Sequence, residues 1–362
     1  MEKSKTRICI PVCVRTASEL QPALRRAAED ADIVELRLDC LTEFEVSDLP
    51  GLARETSEIS TPLILTFRPT HQGGNRVIDP GARLDFWRHC SQVFQKELFD
   101  IELDLLTNGL AVDLKLDWQR VICSHHDFHG VPADLEEIFD AMLSTKARFL
   151  KISVTANDAV DCLPILSLLE RGLNSGREVI PIAMGMPGFA TRVLGPSRGA
   201  FLTYAAMGPD SATAPGQITA GKLREIYHVN SISRETHILG LVGSSVSHSI
   251  SPNVHNAAYA FMGLDAVYLP FEVQDLGSFI KRMAHPRTRE LDWNLRGLGI
   301  TAPHKTTVIG FLDSIDSAAA EIGAVNTIVV SEEGLRGYNT DAMAVLKPVL
   351  EIMGSLRDAK VA

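Results

Sequence analysis

Hydrophobic positions in the first 206 residues gather into eight short β-like runs, at 8–14, 33–39, 62–68, 98–104, 121–127, 149–154, 179–184 and 201–206. Between them, segments such as 17–30 and 132–144 place apolar residues at the three- and four-residue spacing of one helix face. Eight strands alternating with helices over this length predict a (β/α)8 TIM barrel. A doubly wound open sheet is the alternative, but it usually opens with a Gly-rich first turn, and none is present. Polarity within the runs alternates. In the second, Glu35, Arg37 and Asp39 interleave with Val34, Leu36 and Leu38; in the fourth, Asp100, Glu102 and Asp104 interleave with Ile101, Leu103 and Leu105. Alternate strand residues share a face. The charged sets are therefore expected inside the barrel near the C-terminal strand ends, where barrel chemistry sits.

The sixth run, Arg148-Phe149-Leu150-Lys151-Ile152-Ser153-Val154, carries a lysine among strand-forming apolar residues. An ammonium taken from water must be paired or give up its proton. A desolvated lysine is also the usual nucleophile toward a ketone. Snorkelling from a strand end is the plainer reading.

Composition narrows the options. A chain of 362 residues suggests two domains, and 45% hydrophobic with 22% charged residues is ordinary globular composition. The net charge of −10 argues against nucleic acid or an anionic membrane as partner. An anionic small molecule remains open, because arginines can cluster locally. A charged N-terminus and the lack of any long apolar run fit neither a signal peptide nor a membrane span. The six cysteines form no C-x-x-C pair, and Cys9, Cys13, Cys40 and Cys123 lie in or beside apolar runs, where a buried thiol is expected. These features point to a reduced, cytoplasmic compartment. His125, His126, Asp127 and His129 crowd one strand end and make a poor metal set, so no metal is expected.

Six motifs sit in order at successive strand ends: Glu35-x-Arg37-x-Asp39, Thr66-Phe67-Arg68, His126-Asp127-Phe128, Leu150-Lys151-Ile152, Met184-Gly185 with Arg192, and Ala214-Pro215-Gly216-Gln217. Together they resemble type I 3-dehydroquinate dehydratase over about 220 residues. The resemblance implies a lyase without cofactor, acting on 3-dehydroquinate. Lys151 would form the Schiff base, His126 would shuttle protons, and Glu35 would orient His126. Arg37, Arg68, Arg192, Thr213 and Gln217 would hold substrate carboxylate and hydroxyls. Many members of that family carry Glu where this chain has Gln72, and Ser where it has Thr213.

A polar stretch at 225–235 marks a boundary near Asn230, giving domains 1–230 and 231–362. The loop Gly243-Ser244-Ser245-Val246-Ser247-His248 follows a strand but fits no phosphate-binding pattern, and a Ser-rich turn explains it equally well. Ser249-x-Ser251-Pro252, His255-Asn256, Thr301-Ala302-Pro303-His304-Lys305, Asn326-Thr327 and Asn339-Thr340-Asp341 resemble the substrate-binding domain of shikimate dehydrogenase, a smaller α/β domain. The resemblance implies a catalytic pair, Lys305 and Asp341. Ser249, Ser251, Thr301 and Asn326 would grip shikimate or 3-dehydroshikimate. Gly299 replaces a residue that is often Asn. No G-x-G-x-x-G turn follows, so NADP-dependent hydride transfer is expected only of a longer chain. Residues 358–362 look like the opening strand of that further domain, and 343–361 would be partly unsupported. Two rivals stay open: a Schiff-base barrel of aldolase or transaldolase type, and a second domain that only binds.

Overall fold

The computed structural model describes residues 6–107 and 114–355. The stretch 358–362, expected to open a strand, lies outside them. The described chain divides into two compact units, Met1–Arg234 and Glu235–Ala362.

In the first unit β1 (Ile8–Val12), β2 (Ile33–Arg37), β3 (Leu63–Thr66), β4 (Leu98–Glu102), β5 (Val121–Asp127), β6 (Phe149–Thr155), β7 (Glu178–Met184) and β8 (Thr203–Tyr204) form one parallel sheet in the order β7-β6-β5-β4-β3-β2-β1-β8. The amide of Phe201 donates to Val179 O at 2.8 Å and nearly closes the ring between its ends. Around it run α1 (Ala17–Asp30), α2 (Leu49–Thr56), α3 (Pro80–Val93), α4 (Leu103–Thr107), α5 (Leu135–Ser144), α6 (Cys162–Asn174), α7 (Ala190–Ser197) and α8 (Ala220–Glu225). The expected barrel is the observed one. In α1 the Glu19 carboxylate accepts the Thr16 amide at 3.1 Å, and Leu20, Ala23, Leu24 and Ala27 bury one face against the strands.

Strands β2 to β6 each enter the interior with an apolar residue and follow it two positions later with a polar one. Ile33, Ile64, Ile122 and Phe149 belong to a buried floor cluster, and Leu98 packs against it. Glu35, Thr66, Ser124, Lys151 and Asp100 follow them on the same strand faces. That plug of branched and aromatic side chains seals one end of the barrel and leaves the other end polar.

Three expectations need correction. Asp39 and Asp104 are not strand residues: β2 stops at Arg37 and β4 at Glu102, and both aspartates fall in helical turns. Asp104 consequently faces outward, pairing with Arg83 of α3, while Glu102 stays inside between Arg68 and Arg83. Cys13 and Cys40 are not thiols but a disulfide, with Cα atoms 5.4 Å apart where the ends of β1 and β2 come together. Parallel pairing of β1 with β2 brings these positions side by side, which two separate apolar runs do not reveal. Cys9, Cys90, Cys123 and Cys162 are free and buried.

The second unit holds β9 (His237–Gly243), β10 (Ala266–Glu272), β11 (Leu295–Ile300), β12 (Ser314–Ile315), β13 (Thr327–Ser331) and β14 (Gly334–Tyr338), ordered β10-β9-β11-β13-β14-β12. Strands β10, β9 and β11 are parallel; β13 is antiparallel to both its neighbours. Helices α9 (Ser251–Met262), α10 (Leu276–Phe279), α11 (His304–Thr307), α12 (Ser317–Ile322) and α13 (Asp341–Met353) complete it. Asn256 of α9 is fully buried and grips β10 twice, donating to Tyr268 O at 3.0 Å and accepting from Tyr268 N at 2.7 Å. No helix among the described residues is long and apolar enough to cross a membrane.

Candidate active site

Lys151 does not snorkel. Its side chain is 5% exposed, on the inner face of β6 between Phe149 below and Ser153 above. Nζ donates to Asp100 Oδ2 at 2.8 Å and to Tyr204 Oη at 2.9 Å, with Glu35 Oε1 at 3.7 Å. The ion pair offsets the loss of hydration that makes a lone buried ammonium so costly. Burial alone would raise the Asp100 carboxyl, but Arg68 and Lys151 hold it well below the usual carboxylate range. Asp100 is thus the fixed anion of the site.

Arg68 follows β3 and is buried between β4 and β5. Nη2 lies 2.7 Å from Asp100 Oδ2, and Nη1 lies 2.8 Å from His126 Nδ1. His126 sits on the same strand face as Ser124, as the alternation requires. Burial first, then the charges of Arg68 and Lys151, hold the imidazole well below its ordinary value. It is a neutral base at pH 7. Glu35 does not touch it: its Oε1 accepts from Thr66 Oγ1 at 2.6 Å and leans toward Lys151. The expected Glu35–His126 pair is therefore absent. The side chain that reaches His126 from the loop after β3 is Gln72, whose Oε1 accepts the His126 amide at 2.9 Å. Gly73 lets that loop approach. Its φ is +81°, and a Cβ there would lie 2.1 Å from the Phe128 ring.

The arginines divide into two kinds. Arg37 is locked on Asp39 through two bonds of 2.8 and 2.7 Å, and Asp39 also accepts the amides of Arg68 and Asn75. Arg68 is matched by Asp100 and Glu102. Arg192 of α7 is buried, yet its described bonds go to carbonyls, Pro215 O at 3.1 Å and Tyr204 O at 3.4 Å. Its Nε has no partner, and burial lowers the guanidinium to about 10. Thr213 and Gln217 bond each other beside it, the Thr213 amide donating to Gln217 Oε1 at 2.9 Å. Close packing of the loops after β7 and β8 needs Gly216, at φ +73°, where a Cβ would lie 2.4 Å from Gly185 O. One cavity with about 480 Å³ of free space, open at the mouth, is lined by Lys151, His126, Glu35, Arg37, Arg68 and Arg192, with Gln72, Tyr204, Thr213 and Gln217. An amine, a neutral base and a cation unmatched among the described residues thus line one pocket.

Reading the sequence missed Asp100 and Tyr204 as partners of the lysine. The alternation at 98–104 placed Asp100 inside but gave no reason to choose it over Glu102 or Asp104. Tyr204 ends a run that looks uniformly apolar.

In the second unit Lys305 Nζ lies 2.5 Å from Asp341 Oδ2, and Asn326 Nδ2 donates to Asp341 Oδ1 at 2.6 Å. Both members of the pair are well exposed, so the Lys305 bonds hold the Asp341 carboxyl below its usual value without a large energetic worth. Thr301 follows β11, and Ser249 and Ser251 follow β9, which brings them to the C-terminal edge of the parallel strands. Ser251 N donates to Ser249 Oγ at 3.2 Å. No direct bond joins these three to Lys305 among the described residues. At Gly299 the Tyr268 hydroxyl occupies the space of a side chain, 2.6 Å from where a Cβ would stand.

The loop after β9 does not fit a dinucleotide pyrophosphate. Glu272 Oε1 already accepts the amides of Val246 and Ser247, at 3.1 and 3.3 Å, placing a carboxylate where an anion-binding turn would need free donors.

Comparison with known proteins agrees with both halves. Residues 8–234 match the model of the family described as type I 3-dehydroquinase, and residues 241–328 match the shikimate dehydrogenase substrate binding domain. A bifunctional 3-dehydroquinate dehydratase/shikimate dehydrogenase of Arabidopsis thaliana, chloroplastic, is 30% identical over 98% of this chain and 58% of its own length. The shikimate biosynthesis protein AroDE of Chlamydia pneumoniae is 28% identical over 94% of this chain and 67% of its own. The solved dehydroquinate dehydratase and shikimate dehydrogenase of S. pombe AroM superposes with a TM-score of 0.50 at 25% identity, covering 96% of this chain and 67% of that one. The chain spans less than three-fifths of the Arabidopsis relative. A barrel matched from its first strand to the end of its compact unit, with a lysine buried at its centre, places the chain in the type I 3-dehydroquinase family.

Proposed function

We propose that the barrel dehydrates 3-dehydroquinate to 3-dehydroshikimate through a Schiff base on Lys151. The observation that carries this is the shared cavity: a buried amine beside a buried guanidinium that no carboxylate among the described residues answers. A substrate bearing both a ketone and a carboxylate satisfies the two at once. Arg192 takes the carboxylate as a charge-assisted pair. Arg37, Thr213 and Gln217 offer donors and acceptors to the hydroxyls. The iminium on Lys151 draws electrons from the adjacent C–H. His126, neutral at pH 7, takes that proton and later gives it to the departing hydroxyl. Asp100 lies close enough to balance the positive nitrogen as ammonium and as iminium, and Arg68 keeps Asp100 ionised and His126 unprotonated. Glu35, bonded to Thr66, adds a second carboxylate near the nitrogen.

Borohydride added during turnover should fix substrate mass on Lys151, and Lys151→Ala should abolish both the adduct and the ultraviolet absorbance of the enone product. Full turnover by Lys151→Ala would end this reading. The second unit is proposed to hold shikimate or 3-dehydroshikimate, with Lys305 and Asp341 as proton donor and acceptor and Ser249, Ser251, Thr301 and Asn326 as hydroxyl partners. Its open, polar edge supports this. Calorimetry with shikimate on the full chain and on Lys305→Ala tests it, and equal heats would reject it. No step through NADP is assigned to these residues.

A further inference from the structure

Lys151 Nζ has two close partners, and only one is a carboxylate. The other is the hydroxyl of Tyr204, at 2.9 Å. Tyr204 ends β8 at the barrel floor, is 3% exposed, and touches the Cys9 thiol of β1 as well as the lysine. Its ring also lies against the ammonium, with Nζ 4.6 Å from the centroid. A tyrosine needed only for volume would be served by phenylalanine without burying a hydroxyl. Here the hydroxyl is aimed at the reacting nitrogen, and the residue is one of those lining the cavity.

We infer that Tyr204 is a catalytic residue that relays protons between the Lys151 nitrogen and the substrate's ketone oxygen as the Schiff base forms and hydrolyses. The inference rests on the Schiff-base reading above. Ammonium and ketone together contain every atom of the iminium and the water released. One ammonium proton passes to Tyr204 Oη, 2.9 Å away, while Tyr204 gives its own proton to the ketone oxygen, and the freed amine attacks. The N–C bond forms as the C=O π bond opens, leaving a hydroxyl on carbon and a protonated nitrogen. A second proton then leaves nitrogen through Tyr204 to that hydroxyl. The C–O bond breaks, water leaves, and the phenol ends as it began, with Asp100 ionised throughout. His126 is free for the carbon acid throughout. Burial keeps the phenol well above its ordinary value, so it stays protonated and ready to donate.

The test follows the rate at which borohydride fixes 3-dehydroquinate on Lys151 in a single turnover, read by mass, in wild type and Tyr204→Phe. The variant should reach the same ratio of substrate-like to product-like adduct at the plateau, but about 10²-fold more slowly, the scale of one lost acid–base group. A fall of less than about fivefold overturns the inference. So does a larger fall with an altered adduct ratio, because general damage to the cavity would disturb the dehydration step too. If Tyr204→Phe does not fold, the solvent deuterium isotope effect on trapping in wild type decides: a proton in flight gives a normal effect, and its absence overturns the relay. Absence of any Lys151 adduct in wild type would instead reject the Schiff-base reading itself.

Discussion

Arg192 gives the sharpest test of how charge is balanced in the site. Its guanidinium is buried, unmatched by a carboxylate among the described residues, and lowered from its ordinary value to about 10. That difference corresponds to about 3 kcal/mol held against the folded, unliganded protein. The sign is that of a base with a depressed value: the penalty is fully present below about pH 10 and disappears as the pH climbs toward the unfolded value. Arg192→Met keeps the volume and removes the charge. It also removes two bonds to carbonyls, together worth about 1–3 kcal/mol net. The free variant should therefore match wild type or exceed it by up to about 2 kcal/mol in urea unfolding at pH 7. Ligand binding should move the other way. Truncating one partner of a buried charge pair costs about 2–5 kcal/mol, a loss of about 30-fold to several thousand-fold in affinity. Quinate is a suitable ligand for calorimetry, because it keeps the carboxylate and lacks the ketone. If Arg192→Met binds quinate like wild type while losing more than about 2 kcal/mol of free stability, the arginine is a structural donor to Tyr204 and Pro215 and the argument fails.

Other consequences can be checked more briefly. Gln72→Glu places a carboxylate against His126, where Gln72 Oε1 now accepts the backbone amide. It favours the imidazolium, so the acid limb of kcat/KM should rise by about 1 pH unit; an unmoved limb would mean that the loop oxygen does not govern the ring. Because the imidazole is held below its ordinary value, the neutral form is the one the fold prefers, and stability should fall as the pH drops below about 6.5. His126→Asn should flatten that part of the stability curve, and an unchanged slope would assign the acid sensitivity elsewhere. In the second unit, Asn256→Ala leaves the buried N–H and C=O of Tyr268 without their side-chain partner. It should cost about 2–4 kcal/mol in urea unfolding, and a loss below about 1 kcal/mol would show that water or a shift of α9 replaces both bonds.

The barrel was legible because its signal is local and repeated: a period of two in the runs and a helix period between them. Lys151 was legible as an anomaly for the same reason. What stayed hidden depends on neighbours that sequence order separates. Asp100 and Lys151 stand 51 residues apart, and Lys151 and Tyr204 stand 53 apart. Only the tilt and closure of the sheet choose Asp100 from three alternating acids. The family resemblance makes Glu35 the partner of His126, yet Thr66, on the adjacent strand, claims its oxygen first. The same holds for Asp39. A turn after β2 swings it back onto Arg37, so an arginine that reads as a free clamp is already engaged.

The Cys13–Cys40 bridge, with 27 residues of separation, turns the passage from the end of β1 through α1 and β2 into a closed covalent ring. Glu35, Arg37 and Asp39 are all carried on that ring, and the helix α1 is threaded along it. A cut in any peptide bond between the two cysteines would therefore release nothing. The nicked protein would migrate as one species until a reductant separated it into two. The mouth of the barrel is fastened at this seam by a path that does not run along the backbone.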